Sequence, residues 1–134
     1  MAKESGLGMS AIIDDSGGSA RTISNDITNL DIATPREEKD ITGLDKSARE
    51  RLLLLADFTV TVNGVFNDAS NMSHDVFKTV PSTSVARTTT LAVSGQTLPG
   101  EIFYTDYALS RSSSGELTWT APGVLAGGVV PTWA

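Results

Sequence analysis

The sequence predicts a single, mainly β domain of the sandwich or barrel type, flanked by one short α-helix. Its 134 residues fit one domain with one hydrophobic core. Apolar and polar residues alternate in several segments, which is the pattern of strands that bury one face. A helical spacing of apolar residues appears in one short segment, bounded by Pro81.

The amino-terminal third is predicted to contain two strands. Residues 1–8 carry a charge pair and no apolar run, which indicates a flexible arm and not a secretory signal. Met9–Ile13 form an apolar strand, and the cluster Asp14–Gly18 predicts a turn whose glycines can adopt positive φ. Asn29–Thr34 alternate with period two, and Pro35 ends this second strand.

The most charged part of the chain follows, over residues 36–51. Such a run is usually a solvated loop, and a projecting hairpin is the alternative. Residues 46–56 leave helix and strand open, because Asp45 is a suitable helix cap before a stripe of Ala48, Leu52 and Leu55. Local spacing favours the helix.

Asp57–Asn63 is the strongest strand in the sequence, because it alternates strictly and is rich in β-branched residues. The dipeptide Asn63–Gly64 is typical of a hairpin turn, but the apolar pattern continues after it, so a bulge is equally compatible. The apolar phase of this strand and of a later one predicts five core residues: Phe58, Val60, Val62, Leu117 and Trp119.

The carboxyl-terminal half is predicted to hold one helix and three strands. The helix covers Ser73–Val80 and ends at Pro81. The strands cover Arg87–Val93, Ile102–Arg111 and Glu116–Ala121, with a break at the Pro99–Gly100 pair.

The composition argues against most kinds of catalytic and ligand-binding site. A net charge of -6 opposes tight binding of nucleic acid, since phosphates are held by basic surfaces. With no cysteine and one histidine, His74 at the predicted helix start, the sequence offers no catalytic residues, metal ligands or cofactor motif. The longest aliphatic run, Leu52–Ala56, is far shorter than the roughly 20 residues of a membrane span, so no membrane anchoring is expected. A structural or binding protein is predicted.

The order of four segments resembles a known family. The segments are ISNDITNL from Ile23, DITGLDKSARERL from Asp40, LADFTV from Leu55 and NGVFND from Asn63. Together they resemble the major tail tube protein of long-tailed, siphovirus-type bacteriophages, and the resemblance covers Ala11 to Trp119. A departure is the run of leucines at Leu52–Leu55, where relatives often have a break of the Pro-Gly kind.

The resemblance implies a tail-tube-type β-sandwich or barrel that assembles into stacked hexameric rings, the conduit of the phage genome. It implies a place in the virion tail, assembly in the host cytoplasm, and contacts with tape measure, tail terminator and tip proteins. DNA is expected to pass without specific binding, because an acidic lumen repels phosphate. The alternatives are another head-tail or tail component, or a β-sandwich interaction module.

Two sets of site residues follow from alternation and resemblance together. The polar phase of the strong strands is the candidate lumen face: Asp57, Thr59, Thr61, Asn63, Glu116, Thr118 and Thr120. The charged segment supplies the candidate inter-subunit contacts: Arg36, Glu37, Glu38, Lys39, Asp40, Arg49, Glu50 and Arg51.

Overall fold

The computed structural model describes residues 5–134, so the first four residues of the predicted arm lie outside it. Strands dominate the fold. They are β1 (Ser10–Asp14), β2 (Ala20–Thr22), β3 (Ile27–Ala33), β4 (Arg36–Asp40), β5 (Arg51–Ala56), β6 (Thr59–Val65), β7 (Arg87–Val93), β8 (Gln96–Tyr104), β9 (Ala108–Arg111) and β10 (Leu117–Leu125). One short helix, α1 (Ser73–Phe77), lies between β6 and β7, and a 3-10 turn, Ser24–Asp26, precedes β3. The predicted fold class, mainly β with one short helix, is confirmed.

Eight strands form one antiparallel sheet in the order β2-β1-β7-β8-β10-β6-β3, with β9 paired to β10. Strands β4 and β5 pair only with each other and form a separate hairpin. The prediction of a solvated loop at residues 36–51 is therefore wrong, and the alternative of a projecting hairpin is the observed structure.

The helix favoured for residues 46–56 is also wrong. Leu52 and Leu53 pair with Lys39 and Glu38 in regular antiparallel register. The stripe Ala48, Leu52 and Leu55 had no surface to pack against, since all three residues are exposed. Without burial of its apolar stripe, so short a helix has little to stabilise it, and pairing with β4 prevails.

Two predicted boundaries near the carboxyl terminus are corrected. Pro99 and Gly100 lie inside β8 and do not interrupt it. The predicted strand Ile102–Arg111 is broken at residues 105–107, and β10 pairs with β9 along its first half and with β8 along its last residues. Pro122 lies at this change of partner, where a residue without an N–H leaves no ladder donor unpaired.

The core lies on one face of the sheet, under α1. Phe58, Val60, Val62 and Trp119 are buried as predicted, whereas Leu117 at the start of β10 is only half-buried. The Trp119 indole lies against Gly64, where an added Cβ would come within 2.6 Å of the ring. Asn63–Gly64 thus continues β6 and forms no turn, and the irregularity lies in the partner strand, between Ile27 and Asn29.

Two buried polar side chains fix α1 on the sheet. Asp26 accepts a hydrogen bond from the Ser73 backbone N–H at 3.0 Å, which satisfies a donor at the amino end of the helix, and another from the Asn67 side-chain amide at 2.9 Å. Arg87 donates to the Val76 carbonyl at 2.8 Å, at the carboxyl end. The helix is therefore held at both ends.

Candidate self-assembly surfaces

The face of the sheet opposite to the core is polar and rich in threonine. Residues directly opposite each other in antiparallel strands share a face. This face, called here the Thr-rich face, includes Asn29, Asp31 and Ala33 of β3, Thr59, Thr61, Asn63 and Val65 of β6, Thr118, Thr120, Pro122 and Val124 of β10, Pro99, Glu101 and Phe103 of β8, and Thr88 and Thr90 of β7.

Five of the seven candidate lumen residues meet on this face. Thr59, Thr61 and Asn63 lie on β6, and Thr118 and Thr120 lie on the adjacent β10. The Thr120 hydroxyl donates to the Asn63 side-chain oxygen at 2.7 Å, so the two strands are joined by side chains as well as by the backbone ladder.

The other two candidates, Asp57 and Glu116, lie just before β6 and β10, in the connecting loops. Asp57 accepts a hydrogen bond from the Phe58 N–H at 2.7 Å. Glu116 accepts one from the Ser114 hydroxyl at 2.6 Å, and the hydroxyls of Ser112 and Ser114 lower the pKa of Glu116 to about 2. Both carboxylates border the face without belonging to it.

Sequence reasoning missed the parts of this face on β3, β7 and β8. Asp31 lies opposite Thr61, and the Thr88 hydroxyl donates to Glu101 at 2.6 Å. The alternation of Asn29–Thr34 was a usable signal for β3. Nothing local in the sequence indicates that β3 joins β6.

The Thr-rich face carries carboxylates and no described basic residue. Arg21 lies opposite the core residue Ile13, and Arg111 lies opposite Leu117, which places both on the core side of the sheet. Arg87 is buried, and burial lowers the pKa of its guanidinium. The face therefore has an electrostatic character that repels polyanions.

The hairpin β4–β5 is the second candidate surface. Its predicted contact residues fall on β4 (Arg36, Glu37, Glu38, Lys39 and Asp40), in the connecting loop (Arg49 and Glu50) and at the start of β5 (Arg51).

Most of its charged groups pair within the hairpin. Arg49 donates to Asp40 at 2.6 Å, and Arg51 lies 3.7 Å from Glu38. Hydrogen bonds from Thr42, and then the one from Arg49, lower the pKa of Asp40. The Arg36 guanidinium donates to the Leu54 carbonyl at 2.8 Å. These contacts stiffen the hairpin, but exposed ion pairs of this kind stabilise a fold by only about 0 to 1 kcal/mol each.

Sequence reasoning did not identify the apolar side chains of the hairpin as exposed surface residues. Leu52, Leu53 and Leu55 are 50%, 56% and 84% exposed. Ile41 and Leu44 in the connecting loop are exposed as well. The leucine run was visible in the sequence, but a helix stripe was the favoured interpretation of it.

Three strands of the sheet, β2, β3 and β9, are unpaired along one side in the part of the chain that the structure describes. β3 pairs only with β6, and β9 pairs only with β10. All four residues of β9 are exposed. Such open edges are sites where another strand can add to the sheet.

Three solved structures match this arrangement over nearly the whole chain. A subunit of the tail of an empty gene transfer agent particle, refined with C6 symmetry, matches with a TM-score of 0.77 at 19% identity, covering 98% of this chain and 98% of that one. A chain of the native gene transfer agent virion gives 0.75 at 19% identity, covering 97% and 99%. A chain of the six-fold symmetrised anti-feeding prophage baseplate gives 0.66 at 9% identity, covering 100% and 97%.

This chain shares the fold of those particle subunits. At these identities the likeness concerns the fold. No protein-family model matches the sequence, and no curated protein matches it.

Within residues 5–134, no group of three or more His, Asp or Glu side chains is placed to hold a metal ion. None of the helices in the same range is long and apolar enough to cross a membrane.

Proposed function

We propose that this chain is the major tail tube subunit of a siphovirus-type phage or phage-like particle, a structural protein without enzymatic activity. The observation that carries the proposal is an open-edged sheet whose Thr-rich face has carboxylates and no described basic residue. The shared fold with subunits of a C6-symmetric tail supports it. The chain self-assembles into hexameric rings that stack into the tube in the virion tail, after synthesis in the host cytoplasm.

The rings close through the open sheet edges. Strand β3 of one copy pairs with β9 of the next, so that β9, β10, β6 and β3 of each copy form part of one continuous barrel. Six copies then give about 24 strands, and a spacing of about 4.8 Å gives a circumference of about 115 Å before strand tilt widens it. Such a channel accommodates a DNA duplex, and closure covers the exposed edges of β3 and β9.

The Thr-rich face lines the channel. Thr59, Thr61, Asn63, Thr118 and Thr120 supply hydroxyl and amide groups to the wall, while Asp57 and Glu116 border it. Carboxylates on this face repel phosphate, and no described lysine or arginine is available to hold it. DNA therefore slides through without specific binding.

The hairpin β4–β5 reaches another copy of the chain. Its contact residues are proposed to be Arg36, Glu37, Glu38, Lys39, Asp40, Arg49, Glu50 and Arg51. Five basic and five acidic residues between Arg36 and Arg51 leave the hairpin neutral, although the whole chain carries a net charge of -6. A neutral arm approaches an acidic neighbour without long-range repulsion, and its mixed charges set the register. Tape measure, terminator and tip proteins complete the tail.

Electron microscopy of the purified chain tests the proposal. Negative-stain images at increasing protein concentration should show six-fold rings and hollow tubes of uniform width. A chain that stays monomeric at every concentration would refute the tail tube function and favour an interaction module. Rings that never stack would favour another tail component, such as a baseplate subunit, since a baseplate chain shares the fold.

A further inference from the structure

The open edge of β3 offers the backbone groups of Leu30 and Ile32. Successive residues of an antiparallel strand bond alternately to its two neighbours. Pro35 accepts a hydrogen bond from the Asp57 N–H at 2.8 Å, in the same register in which β3 pairs with β6. Odd-numbered residues of β3 beyond its bulge therefore bond to β6, and the N–H and C=O groups of Leu30 and Ile32 point to the open edge.

The open edge of β9 offers the same groups on Leu109 and Arg111. The Ser112 N–H donates to the Glu116 carbonyl at 3.1 Å, which continues the register between β9 and β10. Even-numbered residues of β9 therefore bond to β10, and the backbone groups of Leu109 and Arg111 face the open edge. Two free residues on each edge, spaced by two, can exchange four ladder hydrogen bonds when the edges run antiparallel.

The face on which each side chain lies limits the possible registers of such a pairing. Leu109 lies opposite the buried Trp119, and Ile32 lies opposite the buried Val60, so both lie on the core side of the sheet. In a continuous sheet a core-side residue lies opposite another core-side residue, because a slip of one residue exchanges the faces. Leu109 of one copy can therefore lie opposite Leu30 or Ile32 of the next copy.

A line of directly opposite residues crosses the four wall strands of one copy. It runs from Leu109 of β9 through Trp119 of β10 and Gly64 of β6 to the bulge of β3. The register that β3 holds beyond its bulge places Thr28 on this line. In a closed barrel such a line returns to its starting strand displaced along it, and this displacement is linked to the tilt of the strands.

The tilt decides between the two registers. Leu30 lies two residues beyond Thr28, and Ile32 lies four residues beyond it. Around the whole ring the displacement is about 12 residues with Leu30 and about 24 residues with Ile32. A rise of about 3.3 Å per residue and a strand spacing of about 4.8 Å then give tilts of about 19° and about 35° for about 24 strands. Closed barrels have tilts of about 35° to 45°, so closure selects Ile32.

We infer that the seam between neighbouring copies of a ring has one register, in which Leu109 lies opposite Ile32 of the next copy. The inference rests on the proposed function, which pairs β3 with β9. All four residues of β9 then lie opposite Leu30–Ala33, beyond the bulge of β3. With strands tilted by about 35°, the channel wall has a backbone diameter of about 45 Å.

This register pairs side chains of matching chemistry on both faces of the seam. On the core side, Ile32 covers Leu109, which is 47% exposed in the single chain. Ser110 and Asp31 both lie on the Thr-rich face, opposite Thr118 and Thr61 of their own chains. Across the seam the serine hydroxyl lies opposite the carboxylate and can donate to it. The alternative register would place the carboxylate opposite an alanine, which offers no donor.

Disulfide trapping reads the register directly. Ser110 and Asp31 face each other at a position without ladder hydrogen bonds, where Cα atoms lie about 4.5 Å apart and a disulfide can form. The chain has no cysteine of its own. Rings of Ser110→Cys/Asp31→Cys, treated with oxidised glutathione, should therefore give covalent species up to the hexamer in non-reducing, denaturing gel electrophoresis.

The matched control is Ser110→Cys/Asn29→Cys. Asn29 lies on the same face of β3 and would lie opposite Ser110 in the alternative register, so this variant should remain monomeric on the same gel. Linkage of the control in place of the first pair, or rings of the first pair that do not link, would overturn the inferred register. An unmodified chain that forms no rings in electron microscopy would refute the proposed function itself.

Charge pairs give a second readout if the cysteine variants do not assemble. Ser110→Glu places two carboxylates against each other at every seam and should abolish rings, because like charges directly opposite are destabilising. Ser110→Glu/Asp31→Lys should restore rings in electron microscopy, and Ser110→Glu/Asn29→Lys should not. Restoration by the lysine at position 29, or by neither lysine, would contradict the register.

Discussion

Removing the Trp119 side chain should destabilise the fold more than any change on the Thr-rich face. The indole is 1% exposed, packs with its centroid 5.0 Å from that of Phe77, and donates from Nε1 to the Val65 carbonyl at 2.9 Å. A typical hydrogen bond, such as the one lost with the indole, contributes about 1 kcal/mol. Truncation of a buried tryptophan to alanine costs about 3 to 5 kcal/mol. This is a large share of a total stability of about 5 to 15 kcal/mol.

Three variants separate these contributions. Trp119→Ala should lower the free energy of unfolding by about 3 to 5 kcal/mol. Trp119→Phe keeps an aromatic ring and leaves the Val65 carbonyl without its donor, so we expect a loss of about 1 to 2 kcal/mol. Trp133→Ala changes a 52% exposed residue and should stay within about 0.5 kcal/mol of the parent.

Urea unfolding followed by far-ultraviolet circular dichroism measures these differences in dilute, unassembled protein. Thermal melting should show the same order, with Trp119→Ala lowered by about 10 to 20 °C. If Trp119→Ala unfolds at the same urea concentration as Trp133→Ala, the packing of β10 against α1 is not what stabilises this domain.

Three further predictions concern charge. Replacing both Arg49 and Arg51 by Glu makes the neutral hairpin strongly acidic. The melting temperature should stay nearly unchanged, because exposed ion pairs are worth about 0 to 1 kcal/mol each. Electron microscopy should show that this variant no longer forms tubes. Thr61→Lys places a cation on the Thr-rich face, so tubes of this variant should bind DNA and retain it in a filter-binding assay, with a retention that falls as salt rises. Tubes of the control variant Ser82→Lys should not retain DNA. The pKa of Glu116 is lowered from 4.5 to about 2, so the contribution of this carboxylate to stability is complete above about pH 4.5 and is lost as the pH falls towards 2. The urea midpoint of Glu116→Gln should therefore depend less on pH across this window than that of the unmodified chain.

Strands with strict local alternation could be predicted from the sequence. Asp57–Asn63 and Asn29–Thr34 correspond to β6 and β3, because a period of two reports burial on one side without knowledge of the partner strand. The same reasoning placed Thr59, Thr61 and Asn63 on one face. Local pattern was sufficient where each residue's environment alternates along its own strand.

The hairpin could not be predicted, because its conformation depends on a partner segment and not on burial. Leucines 52–55 are compatible with a helix, a buried strand or an exposed strand, and pairing with residues 36–40 decides among them. Likewise, the break between β8 and β9 depends on β10, which changes partner at Pro122. Neither relation leaves a periodic signal in the sequence.

The attachment of the hairpin has a mechanical consequence. Its two ends continue directly into β3 and β6, through Pro35 and Asp57. A pull on the hairpin therefore acts along both strands in the same direction, and the seven-residue ladder between β6 and β10 resists it in shear. If the hairpin links successive rings, axial load passes from ring to ring through the channel wall and bypasses α1. In the proposed tube, a disturbance at one end then reaches the wall strands of every ring, so the strands proposed to line the channel also bear the tension.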